Sequence, residues 1–414
     1  MAGVPVLVLL GPSAWEGPFV AALAHPASGL TIVRRCLDTA DLLAAASAGL
    51  GRAAVVGSDA PRLDADVLRR LVDTGTAVVG VVPAGDSDAS ARLSRWGAAA
   101  VVEADPGELG AAVRAVARAV PTADRPVVDA ARSEPAAAGR VVAVWGPAGS
   151  PGRTTVAVAL ADEAARLDVP AVLVDADTWA PSASFVLGVV DDGPGLASAC
   201  RRASSGTLDV PALAALVREV RPGLLLLPGI PRAGRWSEVR AAALSDVLAA
   251  ARALAPLVVV DLAAPLESDE ELVFDTAAPR RNAAALVALE EADAVIAVGA
   301  AEPLGVARLV HALAELRDAV RGPEPYVVAT RLREQALGRR GEAAVAEALR
   351  THAGVERLWA VPDDRSALDA CLRRGRTLAE TAPSSPARHA LRGLAVELLR
   401  DLGLRRPVAL AEGA

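Results

Sequence analysis

The sequence predicts an α/β protein made of two doubly wound parallel-sheet domains joined by a linker. Short apolar runs of strand length alternate with longer helix-like segments in both halves of the 414-residue chain. This alternation is typical of parallel sheets that are covered by helices on both faces. Aromatic residues make up only 2% of the chain, so Ala, Val and Leu must build the core. Such a core favours helices and buried parallel strands over a β-sandwich.

The first domain is predicted to span residues 1–120. Its apolar runs predict four strands, at Val6–Leu10, Ala53–Val56, Ala77–Val82 and Ala99–Val102. The segments between and after them predict helices at Ala40–Ala48, Asp64–Val72 and Pro106–Val120. Residues 121–139 have little periodicity and several small residues, so we interpret them as a linker.

The second domain is predicted to span residues 140–404, with residues 405–414 as a tail. It begins with a strand that leads directly into a glycine-rich turn. The predicted strands are Arg140–Gly146, Ala171–Asp175, Leu224–Leu227, Leu257–Asp261, Ala294–Val298 and Tyr326–Thr330. The predicted helices are Thr154–Leu167, Trp236–Leu254, Asn282–Glu291, Pro303–Val320, Gly341–Thr351 and Ser385–Leu402. Ligands of doubly wound sheets bind at the carboxyl ends of the strands, so we expect a binding site at that edge of the sheet.

The composition argues against several classes of protein. The formal net charge is −7 with both signs interspersed, which gives no clear nucleic-acid-binding segment. Three cysteines lie far apart in sequence, as expected for a reduced cytoplasmic protein. The amino terminus does not resemble a signal peptide, and no apolar run reaches the ~20 residues that cross a bilayer. The four histidines are isolated, which argues against a metabolic enzyme with a second catalytic cluster.

The glycine-rich turn predicts a phosphate-binding loop. It reads Trp-Gly-Pro-Ala-Gly-Ser-Pro-Gly-Arg-Thr-Thr over residues 145–155, after a strand and before a helix. Backbone N–H groups of such a turn point inward, and the helix amino terminus adds its positive dipole end. The predicted nucleotide-binding residues are Gly149, Ser150, Pro151, Gly152, Arg153, Thr154 and Thr155.

This loop resembles the deviant Walker A motif of the MinD/ParA ATPases, Lys-Gly-Gly-x-Gly-Lys-Thr-Thr. When the two are aligned on Gly152, Thr154 and Thr155, the phosphate-binding lysine becomes Arg153 and the signature lysine becomes Ala148. Arginine keeps the charge but replaces a compact ammonium by a planar fork. Ala148 removes a cation that, in the family, reaches the partner's nucleotide in the transition state. The resemblance therefore implies ATP and Mg²⁺ binding, with Thr154 on the metal and hydrolysis weak or absent.

Two later strands end in the carboxylates that the resemblance requires. Val172–Asp177 is similar to the switch I strand of MinD-like proteins, in which the residue matching Asp177 positions the attacking water. The alternative is that Asp175 and Asp177 simply cap the end of the strand. Val258–Asp261 is similar to a Walker B strand, so Asp261 is expected to hold Mg²⁺ through water.

Further positions carry less specific signals. Relatives contact the base with an Asn-Arg pair and a Pro-x-Asp element, which here correspond to Thr330-Arg331 and Pro362. The paired arginines at 280 and 281 precede a helix that Asp275 or Thr276 would cap. They could therefore belong to helix initiation, or they could contact phosphate or a second subunit. The last helix places leucines on one face, which predicts packing on the sheet rather than membrane insertion.

The first domain resembles a response-regulator receiver that lacks its chemistry. The acidic pair after the first strand is replaced by Gly11-Pro12-Ser13, and Asp59 is out of register for a phospho-acceptor. A receiver also needs a lysine, and the chain contains none. We therefore expect a docking or dimerisation module. A degenerate receiver before an ATPase domain is found in the CpaE/TadZ branch of the MinD/ParA proteins, and residues 370–386 resemble the end of that branch too.

The resemblance implies a nucleotide-binding localisation or assembly factor for a Flp/Tad-type pilus or a related secretion machine. It implies a homodimer with protein partners in a pilus, secretion or division machine, and possible recruitment to the membrane or cell pole through those partners. The alternative is a septum-site or chromosome-partitioning ATPase of the MinD/ParA type. That function calls for an intact signature lysine and a basic DNA-binding or membrane-binding surface.

Overall fold

A computed structural model of the chain describes residues 3–13, 15–105, 109–119, 139–189, 193, 195–267, 279–333 and 341–405. The chain divides into two compact units. Unit 1 contains the elements between Val4 and Ala119, and unit 2 contains the elements from Arg140 to Asp401. Most of the predicted linker, residues 121–139, and most of the tail lie outside the described residues, so those boundaries stay predictions.

Unit 1 is a five-stranded parallel sheet with the order β2-β1-β3-β4-β5, which is a doubly wound order. Its strands are β1 (Val4–Leu9), β2 (Leu30–Arg35), β3 (Ala53–Gly57), β4 (Ala77–Pro83) and β5 (Ala100–Ala104). Its helices are α1 (Glu16–Leu23), α2 (Thr39–Ser47), α3 (Ala65–Asp73), α4 (Ser87–Arg95) and α5 (Leu109–Ala119). The four predicted strands are present as β1, β3, β4 and β5.

The side-chain alternation of β1 explains why helices cover both faces of this sheet. Val6 and Val8 point to the face covered by α1 and α5, and Leu7 and Leu9 point to the face covered by α2, α3 and α4. Aspartates cap α2, α3 and α4 by accepting hydrogen bonds from backbone N–H groups of the first turn. The pattern of apolar runs did not predict β2, because this edge strand is mostly exposed and ends in two arginines.

Unit 2 is an eight-stranded sheet with the order β13-β12-β11-β6-β10-β7-β9-β8. Every pairing is parallel except that of β8 with β9, which is antiparallel at one edge. The strands are β6 (Arg140–Trp145), β7 (Ala171–Ala176), β8 (Arg218–Arg221), β9 (Leu224–Leu227), β10 (Leu257–Leu262), β11 (Ala294–Ala300), β12 (Tyr326–Leu332) and β13 (Leu358–Pro362). The two-domain α/β fold with mostly parallel sheets is therefore as predicted.

Helices cover both faces of this sheet. They are α6 (Arg153–Arg166), α7 (Ala183–Val186), α8 (Gly195–Ser204), α9 (Val210–Ala214), α10 (Ala241–Leu254), α11 (Ala283–Glu290), α12 (Pro303–Ala319), α13 (Gly341–Ala353), α14 (Arg365–Arg374), α15 (Leu378–Thr381) and α16 (Pro386–Asp401). The prediction of one helix over Trp236–Leu254 was wrong. A 3₁₀ turn covers Ala233–Glu238, and α10 begins only at Ala241 because Arg240 has an extended backbone.

The last helix packs inside unit 2. Leu391, Leu394 and Leu398 of α16 are buried against α6 and β13, as the apolar face predicted. Two arginines of α16, Arg388 and Arg392, form ion pairs with the buried carboxylate of Glu163 on α6. Within the described ranges, no helix combines the length and the apolar character needed to span a membrane.

Candidate functional site

The predicted phosphate loop lies between β6 and α6, at the carboxyl edge of the sheet. Gly149 and Gly152 have positive φ angles of 75° and 99°, which favour glycine. A Cβ atom at Gly146 would lie 2.1 Å from the carbonyl oxygen of Val298, so the loop begins directly against β11. The hydroxyl of Thr330, which ends the buried part of β12, donates to the carbonyl of Pro151 at 2.7 Å. The loop is therefore held between two neighbouring strands.

Arg153, in the position of the missing lysine, reaches back across this loop. Its Nη1 donates to the carbonyl of Gly146 at 3.0 Å, and its Nη2 lies 3.5 Å from Oδ2 of Asp177. The planar guanidinium thus bridges the start of the loop and the end of β7, which a point charge could not do with the same geometry. Arg153 keeps positive charge beside the loop, but part of its hydrogen-bonding capacity serves the protein itself.

A hydroxyl and a buried carboxylate meet under the first turn of α6. Thr154 Oγ1 donates to Oδ2 of Asp261 at 2.6 Å and lies 3.2 Å from Oγ of Ser182. Asp261 is fully buried, and its Oδ1 has no hydrogen-bond partner among the residues that the structure describes. Burial raises the pKa of Asp261 to about 7, and the hydrogen bond from Thr154 opposes this rise. The negative charge of Asp177 raises the pKa further and Arg153 lowers it.

An unpartnered buried carboxylate oxygen is costly unless another group satisfies it. In the part of the chain that the structure describes, no three His, Cys, Asp or Glu side chains cluster as a self-sufficient metal site. Mg²⁺ does not need such a cluster, because it is commonly bound by one or two carboxylates, waters and substrate phosphates. The donor set of Thr154 and Asp261 fits Mg²⁺ in that manner. Ser182 lies beside it and was not predicted, because nothing in the sequence marks it.

The two carboxylates after β7 have different surroundings. Asp175 Oδ2 accepts from the backbone N–H groups of Ser182 and Ala183, both at 2.9 Å, at the start of α7. Burial and the charge of Asp261 raise the pKa of Asp175 well above its ordinary value. Asp177 Oδ1 accepts hydrogen bonds from the backbone N–H groups of Trp179 and Ala180, and its Oδ2 faces Arg153. Both aspartates therefore do cap the end of the strand, and Asp177 also faces the loop.

Arg281 fixes the segment that follows Asp177. Its guanidinium donates to the hydroxyl and the carbonyl of Thr178 at 3.1 Å each. It also stacks 3.9 Å over the ring of Trp179 and lies 5.2 Å from that of Trp236. Partial burial lowers the pKa of Arg281. The sequence left open whether Arg281 belongs to helix initiation or contacts phosphate or a second subunit. In the structure, Arg281 binds and stabilises the loop after β7.

The second interpretation of the paired arginines was that they belong to the initiation of the helix that follows them. The proposed capping residues Asp275 and Thr276 lie outside the described residues. The helix α11 begins after Asn282, whose side chain makes no capping hydrogen bond and instead donates to the carbonyl of Glu267 at 2.9 Å. Asn282 Oδ1 also accepts from Nε1 of Trp179 at 3.3 Å. The start of this helix therefore contributes to the same bracing cluster.

A pocket of ≈ 90 Å³ lies at the other end of the phosphate loop. It is lined by Gly152 and Thr155 of the loop and by Arg331 and Pro362, the two residues predicted on the base side. Arg331 has a φ of 58°, an uncommon value for a residue other than glycine. The structure thus brings the predicted loop residues and the predicted base-side residues to one edge of the sheet.

No protein-family model and no curated relative matches the sequence. Among solved structures, a ParA family ATPase from Chlorobium tepidum TLS is 17% identical, with a TM-score of 0.53. The alignment covers 63% of this chain and 99% of that one. The septum site-determining protein MinD from Pyrococcus horikoshii OT3, complexed with Mg-ADP, is 17% identical with a TM-score of 0.50, covering 65% of this chain and 100% of that one. At these identities the likeness shows a MinD/ParA-type P-loop fold.

Proposed function

We propose that unit 2 binds ATP together with Mg²⁺ and acts as a nucleotide-controlled localisation or assembly factor. The observation that carries this proposal is the buried carboxylate of Asp261, whose Oδ1 lacks a hydrogen-bond partner within the described ranges while Thr154 Oγ1 donates to its Oδ2 at 2.6 Å. This pair lies at the start of α6, where a glycine-rich loop and a helix amino terminus favour phosphate. The fold likeness to a MinD that was solved with Mg-ADP supports the same ligand class.

The residues of this chain have separable roles in the proposed complex. Backbone N–H groups of residues 149–155 would hold the phosphates, with Arg153 adding charge. Thr154 and Asp261 would hold Mg²⁺, which neutralises phosphate charge when it is bound. The pocket at Arg331 and Pro362 would take the base.

We also propose that this protein hydrolyses ATP slowly. Ala148 cannot supply the cross-dimer cation of the family, and both oxygens of Asp177 already face protein donors. A carboxylate engaged in this way is less available to orient a water molecule. We therefore propose that the protein works through binding and release of nucleotide more than through rapid turnover.

For the cellular role, we propose a localisation or assembly factor of the CpaE/TadZ type, acting as a homodimer with protein partners of a pilus or secretion machine. Unit 1 supports this choice. The solved structures are covered almost completely by about two thirds of this chain, so a domain of unit 1's size is additional to them. Asp59 accepts from Ser13 Oγ at 2.6 Å and from Gly11 N at 3.2 Å, so its carboxylate is engaged within the protein.

The second candidate is a septum-site or chromosome-partitioning ATPase, which the fold likeness to MinD and ParA proteins supports directly. Deleting the gene separates the two. The proposed role predicts loss of surface pili or secretion with normal septum placement and normal chromosome content. Minicells or anucleate cells with intact pili would instead favour the second candidate.

The binding proposal is tested by thermal unfolding with MgATP. Nucleotide at ~100 times its dissociation constant should stabilise the folded state by about 2.7 kcal/mol, a rise in Tm of about 5–10 °C for a unit of this size. Thr154→Ala should remove the Mg²⁺-dependent part of the rise. Thr351→Ala, the same change on an exposed turn of α13, should leave the rise intact. A wild-type protein that shows no shift with any nucleotide would defeat the proposal.

A further inference from the structure

A second arginine lies against the phosphate loop, on the side where the family's signature lysine is replaced by alanine. The Nη1 atom of Arg308 lies 2.7 Å from the position that a Cβ atom on residue 149 would take. Glycine at this position therefore leaves room for the guanidinium, in addition to allowing a φ of 75°. Arg308 comes from α12, about 160 residues later in the chain, so the motif itself does not reveal it.

Close packing of α12 on β11 brings Arg308 to the loop. A Cβ atom at Gly299 would lie 2.7 Å from Cδ2 of Leu309, so this glycine lets the helix approach the strand. Gly305 has the same effect in the first turn, where a Cβ atom would meet the carbonyl oxygen of Ala300 at 2.5 Å. Since β11 also borders the start of the loop, the second turn of α12 is positioned beside it.

Arg308 differs from Arg153 in having no partner for its charge among the described residues. Arg153 donates to a loop carbonyl and faces Asp177, so its charge is partly satisfied within the protein. Arg308 is exposed, and none of the hydrogen bonds or ion pairs among the described residues involves it. An unpaired guanidinium beside backbone N–H donors and a helix amino terminus suits an anion with several oxygens, which arginine binds with two parallel hydrogen bonds.

We propose that Arg308 binds the terminal phosphate of the nucleotide from within the same chain. It thereby supplies, on the side of Ala148, the positive charge that relatives receive from the signature lysine of a partner. This inference rests on the proposed nucleotide binding and assigns a further residue to that site.

The test is equilibrium binding of MgATP and MgADP to the full chain, to Arg308→Ala, to Arg308→Lys and to a control. The control is Arg321→Ala, which removes the same charge from an exposed position. Arg321 lies just after the end of α12, about 20 Å from Arg308. Arg308→Ala should weaken ATP binding by about tenfold to a hundredfold, the usual loss for a hydrogen bond to a charged group. ADP binding should change by less than about twofold, and Arg308→Lys should be intermediate because it keeps the charge without the fork.

Three results would overturn the inference. Unchanged ATP affinity in Arg308→Ala would do so while leaving the proposed function intact. Equal weakening of ATP and ADP would do so as well, because the contact would then not be with the terminal phosphate. An equal loss in Arg321→Ala would reduce the effect to long-range charge. Failure of the wild-type chain to bind either nucleotide would instead defeat the proposed function itself, and the same series measures it. Since Arg308 is exposed, its replacement should leave Tm unchanged without nucleotide.

Discussion

Replacing Asp261 by asparagine should stabilise the nucleotide-free protein and abolish its response to MgATP. Burial raises the pKa of this carboxylate from 3.8 to about 7. Because its pKa is higher in the folded protein than in the unfolded chain, the folded state is favoured when the group is protonated. The associated stability is fully present below pH 3.8 and is lost as the pH rises through about 7.

The size of the effect follows from this difference in pKa. One pKa unit corresponds to about 1.36 kcal/mol, so the ionised carboxylate lowers the free energy of unfolding by about 4 kcal/mol at pH 8 and by about 2 kcal/mol at pH 5. The asparagine side chain carries no such charge, and it can still hydrogen-bond to Thr154. The stabilisation by Asp261→Asn should therefore grow by about 2 kcal/mol between pH 5 and pH 8.

The assay is urea unfolding of wild-type protein and variant in EDTA at the two pH values, using the transition that MgATP shifts in the wild type. The comparison variant is Asp175→Asn, which also removes a buried carboxylate with a raised pKa, so its effect should change with pH in the same direction. Both oxygens of Asp175 accept backbone N–H groups, so an amide there would place donor against donor and cost about 1–3 kcal/mol. A gain in Asp261→Asn that is equal at both pH values, or a loss at pH 8, would refute the reasoning.

Four other perturbations test the remaining parts of the structure. Gly152→Asp should abolish the MgATP-dependent rise in Tm, because it places a carboxylate at a phosphate-binding turn with a φ of 99°; a retained rise would contradict the loop assignment. Glu163→Gln should lower the free energy of unfolding by about 2 kcal/mol, since two arginines of α16 bind this buried carboxylate, whereas the exposed control Glu347→Gln should change it by less than about 0.5 kcal/mol in the same denaturation series. Acetyl phosphate with Mg²⁺ should leave the intact mass unchanged; an adduct of about 80 Da on Asp59 would contradict the docking role of unit 1. Limited proteolysis should cut first within residues 121–139, and early cuts inside either sheet would argue against two independent units.

The elements that the sequence predicted well are those buried on both faces. β6, β7, β10 and β11 are built mainly from Val, Leu, Ile and Ala, which is what burial in a parallel sheet demands. The glycine-rich loop was found because it lies between such a strand and a helix. The carboxylates of Asp177 and Asp261 were found because each lies at the carboxyl end of a buried strand, Asp177 just after β7 and Asp261 one residue before the end of β10.

The elements that the sequence missed depend on tertiary contacts. β8 reads Arg-Glu-Val-Arg, and only its antiparallel pairing with β9 makes it a strand. Ser182 and Arg308 have no motif of their own and reach the site through the packing of α7 and α12. The uninterrupted helix predicted over Trp236–Leu254 failed because helical propensity does not reveal an extended residue such as Arg240.

The stacking of Arg281 on Trp179 provides this protein with an intrinsic optical probe. Trp179 is 47% exposed, two residues after Asp177, and one face of its indole is covered by the guanidinium. A rearrangement of the loop that separates the two groups would change the polarity around the ring and so move its emission maximum. Trp145, in the same unit, is 1% exposed and donates to the carbonyl of Ala264, so its ring is shielded from solvent where that of Trp179 is not. Because the chain contains six tryptophans, a variant that keeps Trp179 alone would allow ligand-driven motion of the loop after β7 to be followed in real time.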